Sequence, residues 1–393
     1  AGTTYWAPVN LVDDYYNLDA ATSTFVSEAA LVYPIVRLIL SDPNIGPRGF
    51  LPVGEAALIS GARQFSFIPA TRTCPACSPS LPKLSAQVVD TQQTSTNYAS
   101  TTTAAINVAP GPTRNLQMLL PGTVNELPSE GSLAGKTGSP GPFTAGNQYQ
   151  ITLRATDSYW NRTADNMQVG LVSNDLYAST PAWSTLIISA GEKVTTIPDA
   201  FIPRTATTTA TGGPGLALTL TDEQFFALAT ATASGFTVNA KPFAKVMTLL
   251  PGETHVPGKP PFDTGVTGGR NSPYPAVSTA VPAGAPMQFT VKAVDQFWNP
   301  VSVSSEVGMN SSDSLASIPT PILTLENGAT AFAFTPVQIG NQTVAASVPG
   351  AFAIAASTSN AFSVVGSRLS ILAQGETPAP GAVGACGAPP CEG

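Results

Sequence analysis

The four cysteines are the first side chains whose spacing suggests chemistry, and they form two close pairs. One pair is Cys74 with Cys77, and the other is Cys386 with Cys391. A Cys-x-x-Cys spacing is typical of redox motifs, and four thiolates together can bind zinc. Because no βαβ pattern surrounds Cys74, we expect structural disulfides instead. Their pairing stays open and includes a cross-link between subunits.

The histidine and carboxylate side chains offer little for catalysis. His255 is the only histidine, which excludes metal sites built from several histidines. Nothing clusters the 24 acidic residues. The sequence also lacks a Gly-x-Ser-x-Gly elbow, a phosphate loop and a dinucleotide fingerprint. We therefore expect neither an enzyme nor a cofactor.

A motif of Asp, an aromatic pair and Asn occurs three times. Its copies are DDYYN at 13–17, DSYWN at 157–161 and DQFWN at 295–299. An Asp near a strand end can ligate calcium, but the dense oxygen pattern of a dedicated loop is missing. We expect each leading Asp to hydrogen-bond its own turn. Trp160 and Trp298 could stack on a sugar, but aromatic residues recurring at one position favour core packing.

Candidate glycosylation sites form a second group of surface chemistry. Three Asn-x-Ser/Thr triplets begin at Asn161, Asn310 and Asn341. This pattern is the acceptor for N-linked sugar. The Thr-rich stretches at 94–103 and 205–211 are candidates for O-linked sugar by composition alone. Surface glycans are also a candidate class of binding partner.

The elements that must position these groups are β-strands. The 37 prolines, 34 glycines and 10% of charged residues favour short strands joined by turns. An Ala-Gly pair, with its Gly at 2, 146 and 284, precedes each motif by the same spacing. Between the pair and the motif, apolar residues alternate as in a half-buried strand. The inward positions are Tyr5, Ala7, Val9 and Leu11, then Tyr149, Ile151, Leu153 and Ala155, then Met287, Phe289, Val291 and Ala293.

Further landmarks divide the chain into three repeats. Ser-Asp or Asn-Asp pairs recur at 41–42, 174–175 and 312–313, and segment 61–69 matches 328–336. Each repeat is predicted to close on a short strand, at 106–108, 236–238 and 362–364. We predict an all-β chain of three tandem immunoglobulin-like β-sandwiches at 1–112, 113–242 and 243–366, followed by a tail at 367–393.

The first repeat lacks an opening strand that the other two possess at 116–122 and 246–252. The tail carries a matching segment, with Leu369, Ile371, Leu372 and Ala373 followed by the same Gly-Glu-Thr as at 252–254. We expect this donor strand to complete the first sandwich of another subunit. The acceptor residues would be Tyr5, Ala7, Val9, Leu11, Ile106 and Val108. Such a head-to-tail contact builds filaments.

Three alternatives to this assembly stay open: a fragment of a longer array, a tail that folds back on its own molecule, and a chance match.

The composition limits which other classes of partner the chain could bind. The net charge is −7 and no run of Lys or Arg occurs, which excludes a nucleic-acid footprint. The longest apolar stretch, 29–40, is too short to span a bilayer. Few lysines, many threonines and paired cysteines favour an extracellular protein, and a start at Ala1 suits one whose signal peptide has been removed.

The segment FTVKAVDQFWNPV at 289–301, with its counterpart YQITLRATDSYWN at 149–161, resembles bacterial immunoglobulin-like domains of the invasin/intimin kind. Those domains carry a similar Val-x-Ala-x-Asp…Asn-Pro-Val opening, usually with Gly at the position of Trp298. The resemblance covers about a third of each repeat and implies a surface stalk, adhesin or fibre without a shared active site. The arrangement of the ends is similar to that of donor-strand pilins. An adhesin or glycan-binding stalk is therefore the alternative function.

Overall fold

This computed structural model describes most of the chain, and every regular element in the described part is a β-strand. The described residues are 1–18, 24–25, 31–32, 34–42, 50–51, 54–72, 82–89, 99–125, 135–179, 186–196, 198–207, 215–224, 228–272, 280–351, 353–366, 377–378 and 386–387. No helix occurs within these ranges. The predicted all-β class is confirmed.

Strands between residues 5 and 102 make two sheets and a small hairpin. They are β1 (Tyr5–Asn10), β2 (Thr24–Phe25), β3 (Leu31–Val32), β4 (Ile35–Leu40), β5 (Phe50–Leu51), β6 (Glu55–Ala57), β7 (Ala62–Phe67), β8 (Leu84–Val88) and β9 (Thr101–Thr102). The sheet orders are β1-β7-β5 and β6-β4-β8-β9, and β2 pairs with β3. We call this group the first unit.

The second unit follows between residues 115 and 239. Its strands are β10 (Asn115–Leu119), β11 (Thr123–Asn125), β12 (Lys136–Gly138), β13 (Phe143–Thr144), β14 (Thr152–Thr156), β15 (Met167–Ser173), β16 (Leu186–Ile188), β17 (Glu192–Val194), β18 (Leu216–Asp222), β19 (Ala231–Phe236) and β20 (Val238–Asn239). The main sheets have the orders β10-β14-β17 and β16-β15-β18-β19. Strands β11 and β12 form a hairpin, and β13 pairs with β20 in parallel.

The third unit lies between residues 245 and 365, and one short strand pair follows it. The strands are β21 (Lys245–Leu249), β22 (Thr254–His255), β23 (Arg270–Asn271), β24 (Val281–Pro282), β25 (Met287–Val294), β26 (Glu306–Ser311), β27 (Ile322–Thr324), β28 (Ala329–Phe334), β29 (Gly340–Gln342), β30 (Val344–Ser347), β31 (Ser357–Thr358), β32 (Phe362–Val365), β33 (Thr377–Pro378) and β34 (Cys386–Gly387). The sheet orders are β21-β25-β28, β27-β26-β30-β31 and β24-β32-β29, with the pairs β22-β23 and β33-β34.

Each unit encloses its own hydrophobic cluster between its two main sheets. Strand β18 shows how the sequence builds such a cluster. Leu216, Leu218 and Leu220 are buried, and the residues between them are partly exposed. Successive side chains of a strand point to opposite faces, so alternating apolar residues supply one buried face.

The second and third units share one strand order. In both, the opening strand lies beside β14 or β25, and the sheet ends at β17 or β28. The facing sheet holds β16-β15-β18-β19 or β27-β26-β30-β31. Two packed antiparallel sheets with these connections make an immunoglobulin-like sandwich. The fourth main strand lies beside the third, because β16 pairs with β15 and β27 pairs with β26. The sequence-based fold type therefore holds for these units.

The predicted closing strand at 106–108 is wrong, because these residues form no strand. The equivalent strands in the other units pair with partners just before the Ala-Gly pair: β20 with β13, and β32 with β24. Val108 is nevertheless buried and Ile106 packs against the first cluster.

Several predicted residues lie outside the described ranges. They are the donor-strand residues Leu369, Ile371, Leu372 and Ala373, and the cysteines Cys74, Cys77 and Cys391. Cys386 belongs to β34, which pairs with β33. The disulfides and the donor strand therefore stay predictions.

Candidate functional site

The three Asp-aromatic-aromatic-Asn segments, which we call the anchor motifs, form the turns that leave β1, β14 and β25. Asp157 Oδ1 accepts hydrogen bonds from the backbone N–H groups of Tyr159 (2.8 Å) and Asn161 (3.0 Å). Asp13 and Asp295 hold their own turns in the same way. The prediction that each leading Asp hydrogen-bonds its own turn is confirmed. The backbone donors satisfy the carboxylate oxygen without a cation.

The second aromatic residue of every anchor motif has a left-handed backbone. The φ angles are 64° at Tyr16, 60° at Trp160 and 67° at Trp298. Such angles cost a residue with a Cβ roughly 1–2 kcal/mol, and glycine is the residue that adopts them without this cost. Burial offsets the cost at Trp298, whose indole N–H donates to Pro261 O at 2.7 Å. The Lys245 Nζ also lies 3.3 Å from its ring centroid.

The prediction that Trp160 and Trp298 pack in the core has a different outcome for each residue. Trp298 is buried, as predicted, in a small cluster with Met247, Leu249 and Val294. Trp160 is only half-buried, so for this residue the prediction holds in part.

The Asn that ends the second or third anchor motif bonds to the preceding unit. Asn161 Nδ2 donates to Ala70 O at 2.7 Å, and its Oδ1 accepts from the Arg72 N–H at 2.8 Å. Asn299 repeats both bonds one unit later, with Arg204 O at 2.9 Å and the Ala206 N–H at 2.7 Å. The Asn amide therefore continues the backbone hydrogen bonding of the neighbouring unit. We call 70–72, 204–206 and 337–339 the receiving turns.

The second oxygen of the leading Asp holds the linker between units. Asp157 Oδ2 accepts from the Gly111 N–H at 2.8 Å, and Asp295 Oδ2 accepts from the Lys241 N–H at 2.9 Å. One Asp side chain therefore hydrogen-bonds both to its own turn and to the linker that arrives from the preceding unit. Hydrogen bonds to a buried carboxylate are among the stronger ones in proteins.

In the second and third motifs, the first aromatic residue packs on the glycine of the Ala-Gly pair that belongs to the preceding unit. A Cβ on Gly2 would lie 2.7 Å from Tyr159 Cε2, and one on Gly146 would overlap the ring of Phe297. Both glycines have positive φ, 77° and 75°, so a side chain would also strain the backbone. Phe297 is 5% exposed and belongs to the hydrophobic cluster of the second unit.

Each receiving turn is held within its own unit by the Asp of the recurring Ser-Asp or Asn-Asp pair. Asp175 Oδ2 accepts from the N–H groups of Arg204 (2.7 Å) and Thr205 (3.0 Å). Asp42 makes the same pair of bonds in the first unit, and Asp313 makes it in the third. These aspartates explain why the landmark recurs in the sequence.

The junction of the second and third units also borders a cavity of about 610 Å³. Asp175, Tyr177 and Thr205 line it from one side, and His255 and Lys292 from the other. The His255 Nε2 lies 2.6 Å from Trp298 O, so its hydrogen bond is made to backbone. Burial lowers the pKa of His255 to about 4. This histidine is therefore neutral near pH 7 and has a structural contact rather than an acidic partner.

A buried ion pair lies at the start of the third unit. Arg270 Nη1 lies 3.2 Å from Glu253 Oε2 and donates to Thr248 O at 2.6 Å. Glu253 also accepts from the Leu250 N–H (2.8 Å) and the Ser272 hydroxyl (2.7 Å). Sequence reasoning missed this pair, although Glu253 belongs to the Gly-Glu-Thr segment that it used.

The glycosylation candidates differ in access. Asn161 is 2% exposed, and its Nδ2 donates within the junction to Ala70 O. A sugar attached to that nitrogen would break the junction, so the folded chain has no room for one there. Asn310 and Asn341 are exposed, and both stay candidates.

The acceptor residues predicted in the first unit do meet in space. Ala7, Val9, Leu11 and Ile106 all pack as partly buried residues against one cluster. Tyr5 is half-exposed and stacks on Phe67 with 5.8 Å between ring centroids. Over the described ranges, no group of three or more His, Cys, Asp or Glu side chains is arranged to hold a metal ion. That part of the chain also contains no helix suited to crossing a membrane.

The fold and the junctions define a class, a tandem array of immunoglobulin-like sandwiches joined by a repeated motif. No protein-family model and no curated protein sequence matches the chain. Among solved structures, the D00-D0 domain of intimin aligns with 64% of this chain and 99% of its own, at 13% identity and TM-score 0.27. Surface layer protein SbsC, domains 1–6, aligns with 92% of this chain and 39% of its own, at 13% identity and TM-score 0.22. A Parabacteroides merdae β-glucuronidase aligns with 55% of this chain and 23% of its own, at 11% identity and TM-score 0.20. Such scores do not establish a shared overall arrangement or activity.

Asn299→Ala is expected to loosen the second and third units from each other. The substitution leaves Arg204 O and the Ala206 N–H without their partner, and an unsatisfied buried group costs about 1–3 kcal/mol. Urea unfolding of the full chain and small-angle scattering would measure the loss of stability and the wider distribution of shapes. Asn310→Ala, on the exposed side of β26, is the matched control. Identical behaviour of the two variants would contradict the assigned role of Asn299.

Proposed function

We propose that this chain is a structural subunit of an extracellular filament. In this proposal the three units are three domains, at 1–112, 113–242 and 243–366. The strand at 369–373 of one subunit completes the first domain of the next. The single observation that carries the proposal is that β1 of the first unit has a paired strand on only one edge among the described residues.

The incompleteness is visible in strand pairing. Strands β14 and β25 each have two neighbours, an opening strand on one edge and β17 or β28 on the other. Their equivalent β1 pairs with β7 alone among the described residues. An open edge presents unpaired N–H and C=O groups that readily accept another strand. The edge is therefore suited to strand addition.

Burial supports the same conclusion. Ile151, Leu153 and Ala155 of the second unit are fully buried, and β10 pairs beside the strand that carries Leu153 and Ala155. The equivalent residues of the first unit, Ala7 and Val9 of β1 and Leu11 just after it, are only partly buried. The opening strand β10 and the residue after it supply Leu116, Met118 and Leu120, all buried in the second cluster. The tail offers Leu369, Ile371 and Ala373 in the same alternation.

The energy of such a junction is substantial. Burying a large apolar side chain contributes about 1.5–3 kcal/mol, and each net backbone hydrogen bond adds about 1 kcal/mol. Ordering of the tail opposes these gains. The proposal requires the burial of two large side chains and several backbone bonds to exceed this cost. Repetition of an open head-to-tail contact generates a filament.

Removing the tail after Gly366 is expected to abolish filaments while leaving the three sandwiches folded. Ile371→Asp should have the same effect, because a carboxylate would have to be buried at the core of the next subunit. Ser370→Asp, on the opposite face of the same strand, is the matched control and should retain assembly. Negative-stain micrographs and sedimentation would report filament length. Unchanged filaments in the truncated chain would disprove donor-strand assembly.

An adhesin or glycan-binding stalk is the second candidate, and one observation favours it. Tyr15 and Tyr16 form an exposed aromatic pair in the first unit, and an exposed aromatic face can stack on a sugar ring. A glycan array probed with the full chain would test this function. Binding that is lost on Tyr16→Ala, together with the absence of filaments, would favour the stalk.

A further inference from the structure

The anchor motif of the first unit is folded but contacts no receiving turn within the described residues. Its internal bonds match those of the other copies, since the Asp13 N–H donates to Asn17 O at 3.1 Å and Asn17 Nδ2 donates to Asp13 Oδ2 at 3.0 Å. Yet Tyr15 and Tyr16 are 85% and 87% exposed. The equivalent of Tyr15 in the third unit, Phe297, lies in the core of its neighbour. The first motif is therefore preformed for a contact that no described residue makes with it.

The receiving turn of the third unit is in the complementary situation. Asp313 Oδ2 shapes it by accepting from the N–H groups of Val337 (2.7 Å) and Gln338 (2.9 Å). The glycine of its Ala-Gly pair also has the geometry of the earlier copies: the Gly284 N–H donates to Pro336 O at 2.7 Å, with φ 83°. A Cβ on Gly284 would meet no atom within 4 Å among the described residues. The position that an aromatic ring occupies on Gly2 and Gly146 is open here.

We infer that the anchor motif at 13–17 of one copy docks on Gly284 and the receiving turn 337–339 of a second copy. The two filled junctions specify the contacts. Asn17 Nδ2 would donate to Val337 O, the Ile339 N–H would donate to Asn17 Oδ1, and the ring of Tyr15 would cover Gly284. Each partner group has an exact chemical equivalent in the filled junctions, which is why a second copy is the occupant that fits.

This docking deepens the proposed function and rests on it only for the head-to-tail order of the subunits. In both filled junctions the strand before the motif also pairs with the opening strand, β14 with β10 and β25 with β21. The donor strand and the docked motif would therefore lie in one interface. They involve different residues, however, and can be removed separately.

The tests use the full chain. Asn17→Ala is expected to weaken head-to-tail association about tenfold or more, because two backbone groups of the partner lose their hydrogen bonds. Tyr15→Ala should weaken it similarly. Asp14→Ala, an exposed substitution in the same turn, is the control and should assemble normally. Sedimentation velocity across a concentration series measures the change.

Photo-cross-linking gives a readout that does not depend on filaments. With p-benzoylphenylalanine in place of Tyr15, illumination should join two copies, and mass spectrometry should find the link in peptides containing Gly284 or residues 337–339. The chain ending at Gly366 should still give this link at high concentration even where it forms no filaments, which separates the docking from the donor strand. Links that map elsewhere, or normal association of both Asn17→Ala and Tyr15→Ala, would overturn the docking. Loss of glycan binding with unchanged association in Tyr15→Ala would overturn it in favour of a sugar site.

Discussion

Arg270→Met is expected to lower the free energy of unfolding of the third unit by about 3–5 kcal/mol, the usual effect of removing one partner of a buried ion pair. Neither the Arg270 nor the Glu253 side chain is exposed. The methionine would leave the Glu253 carboxylate buried without its cation. It would also remove the donor to Thr248 O.

The hydrogen bonding of the Arg270–Glu253 pair is incomplete, which allows a second variant to separate the effect of the charge from that of the side chain. Arg270 Nε and Nη2 have no hydrogen-bond partner among the described residues, and burial lowers the pKa of the guanidinium despite the neighbouring Glu253. The double variant Arg270→Met with Glu253→Gln should therefore recover much of the lost stability, because no unpaired charge remains.

Arg37→Met is the matched control for Arg270→Met. Its ion pair with Glu55 is partly exposed on both sides, and exposed pairs contribute about 0–1 kcal/mol. Urea unfolding of the full chain, followed by one probe in the first unit and one in the third, would compare the two variants. A loss for Arg270→Met no larger than that for Arg37→Met would contradict the assigned role of the buried pair.

The stability of the third unit is also expected to fall as the pH decreases from about 6.5 to about 4. Burial is the main cause that lowers the pKa of His255 from 6.5 to about 4 in the folded chain. The hydrogen bond to the Trp298 backbone opposes this shift, and the charges of Lys292 and Arg270 add to it. Within this pH range the unfolded chain binds a proton that the folded chain does not bind, so acid favours unfolding. The gap between the two pKa values corresponds to roughly 3 kcal/mol.

Thermal unfolding of the intact chain at several pH values would measure this dependence. The His255→Gln variant keeps a donor for Trp298 O and removes the titrating group, so its curve should be flatter over the same range. A 2D NMR titration of His255 would give the folded pKa directly. Parallel curves for the two proteins, or a folded pKa near 6.5, would contradict the prediction.

Local patterns were sufficient to predict much of the fold. Alternating apolar residues correctly indicated β1, β14 and β25, since a strand's periodicity is written in consecutive residues. The turn role of Asp13, Asp157 and Asp295 followed from the same kind of short-range chemistry. The closing strand at 106–108 failed because strand formation there needs a partner from another segment.

The junctions show where such prediction ends. The sequence revealed that an Ala-Gly pair precedes every anchor motif, but this spacing describes one unit. In the structure the aromatic residue of a motif packs on the glycine of the preceding unit, as Phe297 does on Gly146. Asn161 illustrates the same limit, because its triplet predicts a glycan whereas its amide is buried between units.

The sequence by itself determined the all-β class, the repeated sandwiches and the turns of the anchor motifs. These properties depend on side chains near one another in the chain. The tertiary structure alone decided that Asn161 and Asn299 join neighbouring units and that Glu253 pairs with Arg270. It also decided that the first motif and the third receiving turn contact no other unit among the described residues. These contacts depend on how distant segments pack, because hydrogen bonding and burial between units are set by their relative positions in space.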